Sequence, residues 1–223
     1  MFVLLGGALP AAVWLVHRVV THWRRRAAVE PTVFTRRRHG TLSGIVDSDR
    51  RQLRPIGASI AEVAVRTDIL LESLLRDPRV RLFRGLRTSL DEPPVTHALV
   101  AGRSLTLIES VAWPPGAYLM DPDGRIRCED APIGQSVEPL RATVRRLRRE
   151  LPRGHRVAAM VVVHRTGPGG QQLPLDLQSE VTFTGADEAV SAILGGLPRG
   201  GRADWRTLTG LVAATGRAVE GLR

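Results

Sequence analysis

Residues 95–117 read VTHALVAGRSLTLIESVAWPPGA, in which two apolar runs flank a short turn. The first run leads into Gly102-Arg103-Ser104, and the second ends at Glu109. Short apolar runs bounded by glycine and proline are typical of buried strands, so the segment predicts a β-hairpin in an α/β core. A carboxylate at the end of a core strand is costly unless it is paired, binds a metal or opens to a cleft. Glu109 is therefore a candidate functional residue.

This hairpin resembles that of the nuclease-related domain family, a branch of the restriction-endonuclease-like PD-(D/E)XK nucleases. That family carries Ile-Asp-His on the first strand, Glu-x-Lys or Asp-x-Lys on the second, and a Trp-x-Gly type turn. The corresponding residues here are Val95-Thr96-His97, Glu109-Ser110-Val111, Trp113 and Gly116. A glutamate on the family's first helix corresponds to Glu62. The resemblance implies a nuclease fold whose remnant site positions are Glu62, Thr96, Glu109 and Val111.

The departures from the family pattern remove much of its chemistry. Such nucleases hold Mg²⁺ through carboxylates, and the metal activates the attacking water. Thr96 replaces the metal-binding Asp, and Val111 replaces the Lys that stabilises developing negative charge. Ala142 stands where the family has a Gln on a later helix, and the chain contains no lysine at all. The sequence therefore favours a pseudo-nuclease with no confident catalytic residue, no metal site and no cofactor.

Three hypotheses remain for function. The first is a membrane-tethered, catalytically silent nuclease-like domain that acts as a binding or scaffolding module for an unidentified protein partner. The second is a metal-dependent nuclease in which Glu62 and Glu109 hold Mg²⁺ with an acid and a base recruited from elsewhere. The third is a structural membrane-associated protein with no role in nucleic-acid chemistry. Convergence of Glu62 and Glu109 in an open cleft would favour the second, whereas an arginine against Glu109 would indicate an ion pair.

The N-terminal segment is apolar enough to suggest a membrane anchor. Residues 2–16 contain no charge, and with residues 17–23 the segment reaches the ~20 residues that a membrane helix needs. Arg24, Arg25 and Arg26 follow it, whereas a cleaved signal peptide carries its positive charge before the apolar run. The positive-inside rule then predicts a single-pass protein of the cell membrane with its C-terminal domain in the cytoplasm. A buried N-terminal helix and a wrongly assigned start are the alternatives.

Positive charge is concentrated after this apolar segment. The net charge of the 223-residue chain is +10, and residues 17–56 carry ten arginines against three acids. Clusters of arginine beside an apolar helix are suited to anionic lipid headgroups; the candidates are Arg24, Arg25, Arg26, Arg36, Arg37 and Arg38. A solvated tether without a partner is the alternative. Net charge supports nucleic-acid binding only weakly, because residues 57–223 retain a surplus of only three.

The remaining pattern indicates an α/β domain with a restriction-endonuclease-like mixed sheet flanked by helices. Apolar content of 43% fits a globular core, and a single cysteine allows no internal disulfide. The predicted elements are a helix over 56–77, a strand over 79–87, the hairpin, a second hairpin around Asp121-Pro122-Asp123-Gly124, a helix over 135–151, strands over 156–164 and 180–183, and a helix ending near 194. The predicted organisation is a transmembrane helix (1–23), a basic juxtamembrane linker (24–55), the nuclease-related-like domain (56–196) and a C-terminal helix or tail (197–223).

Overall fold

A computed structural model of the chain describes residues 37–43, 45, 50–89, 92–174, 180–198, 203–204, 207–208 and 211. Three α-helices and ten strands are described. In chain order they are β1 (Arg38–Gly40), α1 (Ile60–Leu71), β2 (Val80–Leu86), β3 (Val95–Ala101), β4 (Ser104–Trp113), β5 (Gly116–Met120), β6 (Arg125–Cys128), β7 (Ala131–Ser136), α2 (Glu138–Glu150), β8 (Arg156–Arg165), β9 (Gln171–Gln172), β10 (Val181–Gly185) and α3 (Ala189–Gly196). A 3₁₀ helix, Glu72–Arg76, extends α1.

The larger of two sheets has six strands in the order β1-β2-β3-β4-β8-β10. β3 runs antiparallel to its neighbours β2 and β4, while β4 and β8, β8 and β10, and β1 and β2 are parallel pairs. The predicted hairpin is therefore confirmed, with Ala101 opposite Ser104 at its turn. β4 extends past Glu109 to Trp113, so Glu109 lies within the strand and not at its end.

The smaller sheet has the order β7-β6-β5-β9 and follows the central hairpin in the chain. β5 and β6 form the predicted hairpin, in which Gly124 has φ +77° and its amide donates to the Asp121 carbonyl oxygen over 2.9 Å. β7 lies just before and partly within the region predicted as helix. α2 begins only at Glu138, because residues 131–136 pair with β6 and Pro139 favours a helix start at this point.

Helices cover both faces of the large sheet, which makes the fold a three-layer mixed α/β arrangement. The face toward α1 and α3 packs a cluster that includes Leu71, Leu99 and Ile193. The face toward α2 packs a second cluster, which includes Val144 of α2 and apolar residues of β4 and β8. Leu208 and Leu211 also belong to this second cluster, so part of the predicted tail (197–223) is packed in the core.

Part of the predicted linker (24–55) belongs to the folded domain. β1 pairs with β2, and Leu53 is buried in the α2-face cluster. A three-residue strand and an isolated leucine give no periodic pattern, which is why the basic composition dominated the sequence interpretation. Residues 1–36, including the predicted transmembrane helix (1–23), lie outside the described residues. Within the described residues, no helix is long and apolar enough to cross a membrane.

Candidate functional site

Glu109 is placed by the alternation of side chains along β4. Leu107 and Val111 belong to the cluster beneath α2, and Glu109 lies between them in the strand, so its side chain is directed to the same face. The residue is 7% exposed. A carboxylate so deep in an apolar cluster needs a partner, because an isolated ionised group would lose its hydration without compensation.

That partner is Arg51, from the segment preceding α1. Arg51 Nη1 donates to Glu109 Oε2 over 2.8 Å, and Nη2 donates to the Pro94 carbonyl oxygen over 2.7 Å. The Arg51 side chain is 3% exposed and that of Glu109 is 9% exposed, so water hardly screens the pair. Burial raises the pKa of Glu109, and the positive charge of Arg51 opposes that rise. Glu109 therefore lies against an arginine, which is the arrangement expected of an ion pair, and this pair is buried.

Thr96 and Val111 flank this pair without adding catalytic chemistry. The Thr96 hydroxyl donates to the Ile108 carbonyl oxygen over 2.6 Å and lies 3.2 Å from the Ser110 hydroxyl. Both residues are fully buried, and Val111 is packed in the α2-face cluster. The structure therefore brings three of the four predicted site positions together on adjacent strands, but only Glu109 carries an ionisable group.

Glu62, the fourth predicted position, belongs to a different part of the fold. It lies in the first turn of α1, where its amide donates to the Ser59 side chain over 3.2 Å as part of the helix cap. Its carboxylate forms an exposed ion pair with Arg66. α1 covers the face of the sheet opposite to the one that carries Glu109, so the two glutamates do not form a common site.

A cavity of about 330 Å³ opens beside the Arg51–Glu109 pair. Glu92 lies on its wall, and Glu92 Oε2 accepts hydrogen bonds from Arg146 Nη2 over 2.8 Å and from Thr143 over 3.3 Å. Leucine, proline and valine side chains form much of the remaining wall. The cavity thus joins a buried charge pair to an apolar surface, a combination common in small-molecule sites.

Sequence reasoning missed Arg51 and set Glu92 aside because of its position in a loop. Arg51 stands in a basic stretch with Arg50 and Arg54, and nothing in that pattern distinguishes it from its neighbours. It reaches Glu109 across a sequence separation of 58 residues, which only the tertiary fold can bring together. Glu92 follows an acidic neighbour in a loop, where acids need no special explanation.

A second polar cluster lies beneath α1 on the opposite face of the sheet. Arg84 makes two hydrogen bonds to Asp68, of 2.7 and 2.6 Å, and His97 Nε2 lies 3.5 Å from Asp68 Oδ1. Burial would raise the pKa of Asp68, but its contacts with His97 and Arg84 outweigh burial and lower it to about 2. Burial lowers the pKa of His97, so the imidazole is neutral near pH 7.

A cavity of about 570 Å³ lies where β8 and β10 end. His164 lines it and shares a 2.8 Å hydrogen bond with Thr67 of α1. Burial, followed by the charge of Arg66, lowers the pKa of His164 to about 4. The imidazole is therefore neutral near pH 7 and serves here to join α1 to β8.

The predicted lipid-binding arginines divide between described and undescribed parts of the chain. Arg37 Nη1 donates to the Leu75 carbonyl oxygen over 2.8 Å, and Arg38 forms an ion pair with Glu72. Both therefore help to hold β1 against the 3₁₀ helix. Arg24, Arg25, Arg26 and Arg36 lie outside the described residues.

Within the described residues, no group of three or more His, Cys, Asp or Glu side chains has a metal-binding arrangement. Comparison of the chain with protein-family models, curated proteins and solved structures finds no match.

Proposed function

We propose that the chain is a membrane-anchored, catalytically silent nuclease-like domain that acts as a binding module. The anchor is the apolar segment 1–23, and the folded domain lies on the cytoplasmic side. The polar centre of the domain is the Arg51–Glu109 pair with its adjoining cavity.

The order of elements supports a restriction-endonuclease-like fold for the domain. α1, the three strands β2–β4, α2, β8, β10 and α3 follow one another as the family resemblance implies. Strands β5–β7 of the small sheet are inserted between β4 and α2, and its fourth strand, β9, follows β8. Fold alone does not establish activity, so the proposal rests on the chemistry of the Glu109 site.

The Arg51–Glu109 ion pair is the observation that carries the proposal. A divalent ion bound to Glu109 would lie next to the guanidinium, and a +2/+1 pair 4 Å apart repels by about 8 kcal/mol at an effective dielectric constant of 20. Arginine cannot relieve this repulsion by losing its proton. Metal binding would therefore require Arg51 to leave its buried position and to break its bonds to Glu109 and Pro94.

The first experiment measures Mn²⁺ binding and plasmid cleavage by the full chain in detergent. We expect neither binding in the micromolar range nor cleavage, in the wild type or in Glu109→Ala. Glu188→Ala, at an exposed acid before α3, is the matched control. Cleavage by the wild type that is lost in Glu109→Ala but kept in Glu188→Ala would refute catalytic silence.

One observation favours the metal-dependent nuclease as a second candidate. Glu92 and Glu109 line the same cavity, so the fold brings a second carboxylate close to the remnant position. Under this alternative Mg²⁺ would bind between them, and Glu92→Ala would abolish both metal binding and cleavage. Under the favoured proposal, Glu92→Ala changes neither, because Glu92 is held by Arg146 and Thr143.

The membrane anchor is tested independently of catalysis. We expect the full chain to stay in the membrane pellet after extraction with alkaline carbonate, as an inserted helix does. Replacement of Ala11 and Ala12, at the middle of this segment, by arginine should release it, because a charge at the bilayer centre costs about 3 kcal/mol per residue. Complete release of the wild type would refute anchoring and leave the Glu109 experiments unaffected.

A further inference from the structure

One edge of the large sheet carries exposed arginines. β1, β2, β4, β8 and β10 all begin at this edge, because they run in the same direction, and β3 ends there. Four arginines at this edge, which we call the basic edge, are Arg103 in the β3–β4 turn, Arg149 in the last turn of α2, Arg153 in the following loop and Arg156 at the start of β8. All four are exposed.

The four arginines share this edge of the sheet, and Arg103 and Arg156 are adjacent there. The Arg156 amide donates to the Arg103 carbonyl oxygen over 2.9 Å, and the Arg103 guanidinium lies beside Gly154. Two neighbouring arginines are neutralised: Arg145 and Arg148 both form ion pairs with Glu180. No side chain of the basic edge makes an ion pair with a described residue. Two acids lie among them: the exposed Glu150, and Asp204, whose amide donates to the Gly102 carbonyl oxygen and whose carboxylate lies 3.5 Å from His155 Nε2. A positive surface therefore remains.

The chain enters the folded domain at this same edge. β1 is parallel to β2, so its first residue lies where β2 begins, and the Leu82 amide donates to the Arg37 carbonyl oxygen over 2.8 Å. Only residues 24–36 separate this point from the proposed membrane segment. At about 3.5 Å per residue they span at most about 45 Å, so the domain stays near the bilayer whatever their conformation.

We propose that the basic edge docks on the anionic phospholipid headgroups of the bilayer in which residues 1–23 are anchored. This inference rests on the proposed anchoring. Each arginine near an anionic surface raises the affinity for that surface by about fivefold. Three of the four arginines together therefore contribute roughly 100-fold. The attraction acts only within a Debye length of about 8–10 Å, which the tether permits. Lipid is favoured over nucleic acid because the chain joins the domain at this edge, and residues 24–36 keep the domain within about 45 Å of the proposed anchor.

Hydrogen exchange of the full chain in vesicles tests the docking. We expect the amides of residues 153–156 to exchange at least tenfold more slowly in vesicles with 30% phosphatidylglycerol than in pure phosphatidylcholine vesicles. The 121–124 turn, which lies on the small sheet, should exchange equally in both. The Arg103→Glu/Arg153→Glu/Arg156→Glu variant should lose the difference. A variant with the same charge change elsewhere, Arg125→Glu/Arg127→Glu/Arg165→Glu, should keep it.

The outcomes separate this inference from the proposed anchoring. Release of the chain by alkaline carbonate would refute anchoring and, with it, the docking that depends on it. A retained chain whose amides at 153–156 exchange equally in both vesicle types would refute docking alone. Protection by an added DNA duplex in phosphatidylcholine vesicles, without protection by phosphatidylglycerol, would assign the basic edge to nucleic acid and overturn the lipid assignment.

Discussion

Removal of Arg51 should destabilise the fold in a way that depends on pH. In Arg51→Met, Glu109 keeps its buried position but loses its cation, and breaking a buried pair in this manner typically costs 3–5 kcal/mol. Glu109 can limit the cost by taking up a proton. From its ordinary pKa of 4.5, neutralisation at pH 7 costs about 3.4 kcal/mol, because each pH unit corresponds to 1.36 kcal/mol. We therefore expect the free energy of unfolding of Arg51→Met to be about 3–5 kcal/mol lower than that of the wild type at pH 7.

The sign of the pH effect follows from proton linkage. Burial raises the pKa of Glu109 in the folded state, and loss of Arg51 raises it further. Above pH 4.5 the folded variant then holds a proton that the unfolded chain has released, so stability falls as pH rises, by up to about 1.4 kcal/mol per unit. At pH 5 the cost of protonating Glu109 is below about 1 kcal/mol, so the free energy of unfolding of Arg51→Met should approach that of the wild type.

The assay is urea unfolding of the full chain in mild detergent, followed by circular dichroism between pH 5 and 8. Glu109→Gln is the matched control: it removes the group that titrates at this position, so the free energy of unfolding of this variant should lack the fall with pH expected for Arg51→Met. Arg51→Met/Glu109→Leu should recover most of the loss, because apolar replacement of a buried pair is often neutral. A loss below 1 kcal/mol for Arg51→Met at pH 7, or a loss that does not change with pH, would refute the reasoning.

Three further predictions concern stability and use the same unfolding assay. Gly40→Ala should lower the free energy of unfolding by at least about 2 kcal/mol more than Gly57→Ala does. Both glycines have positive φ, but a Cβ at Gly40 would lie 2.2 Å from the Arg84 carbonyl oxygen, whereas a Cβ at Gly57 would meet nothing within 4 Å. Equal costs would show that β1 is not held against β2. Asp68→Asn should lower the free energy of unfolding by about 2 kcal/mol at neutral pH, because folding lowers the pKa of Asp68 from 3.8 to about 2. In the wild type this stabilisation is present above pH 3.8 and is lost as pH falls through 2. The variant should lack that acid dependence. Thr96→Val should cost about 1–2 kcal/mol through loss of its two hydroxyl contacts, and a neutral result would contradict the buried hydrogen bond.

Elements with a strong periodic or turn signal could be predicted from the sequence. The continuous apolar run of β8 and the Asp-Pro-Asp-Gly turn each determine local structure, and both predictions are confirmed. β1 and β7 were missed for a physical reason. β1 has three residues and exists because it pairs with β2, while Pro132 and Gly134 interrupt any strand pattern in β7.

The candidate site could be predicted only in part, because its two charges come from distant segments. The hairpin pattern located Glu109, Thr96 and Val111, which all depend on pairing between adjacent strands. Arg51 depends instead on the path of a nonperiodic segment across the α2 face. The energetic requirement for a partner could be stated in advance from the burial cost of Glu109 alone, whereas the identity of that partner could not.

The charge pair requires an explanation beyond stability. Apolar residues of similar volume often replace a buried ion pair without loss, so stability alone does not account for Arg51 and Glu109 in an otherwise apolar cluster. Both residues line the 330 Å³ cavity, which places them where the binding role that we propose would need them. If Arg51→Met/Glu109→Leu recovers most of the stability lost in Arg51→Met, as we expect, folding does not require the pair, and we infer that its value to the protein lies in what the cavity binds. If the double variant is as unstable as Arg51→Met, the pair is structural and the binding role must be sought elsewhere, first at the basic edge.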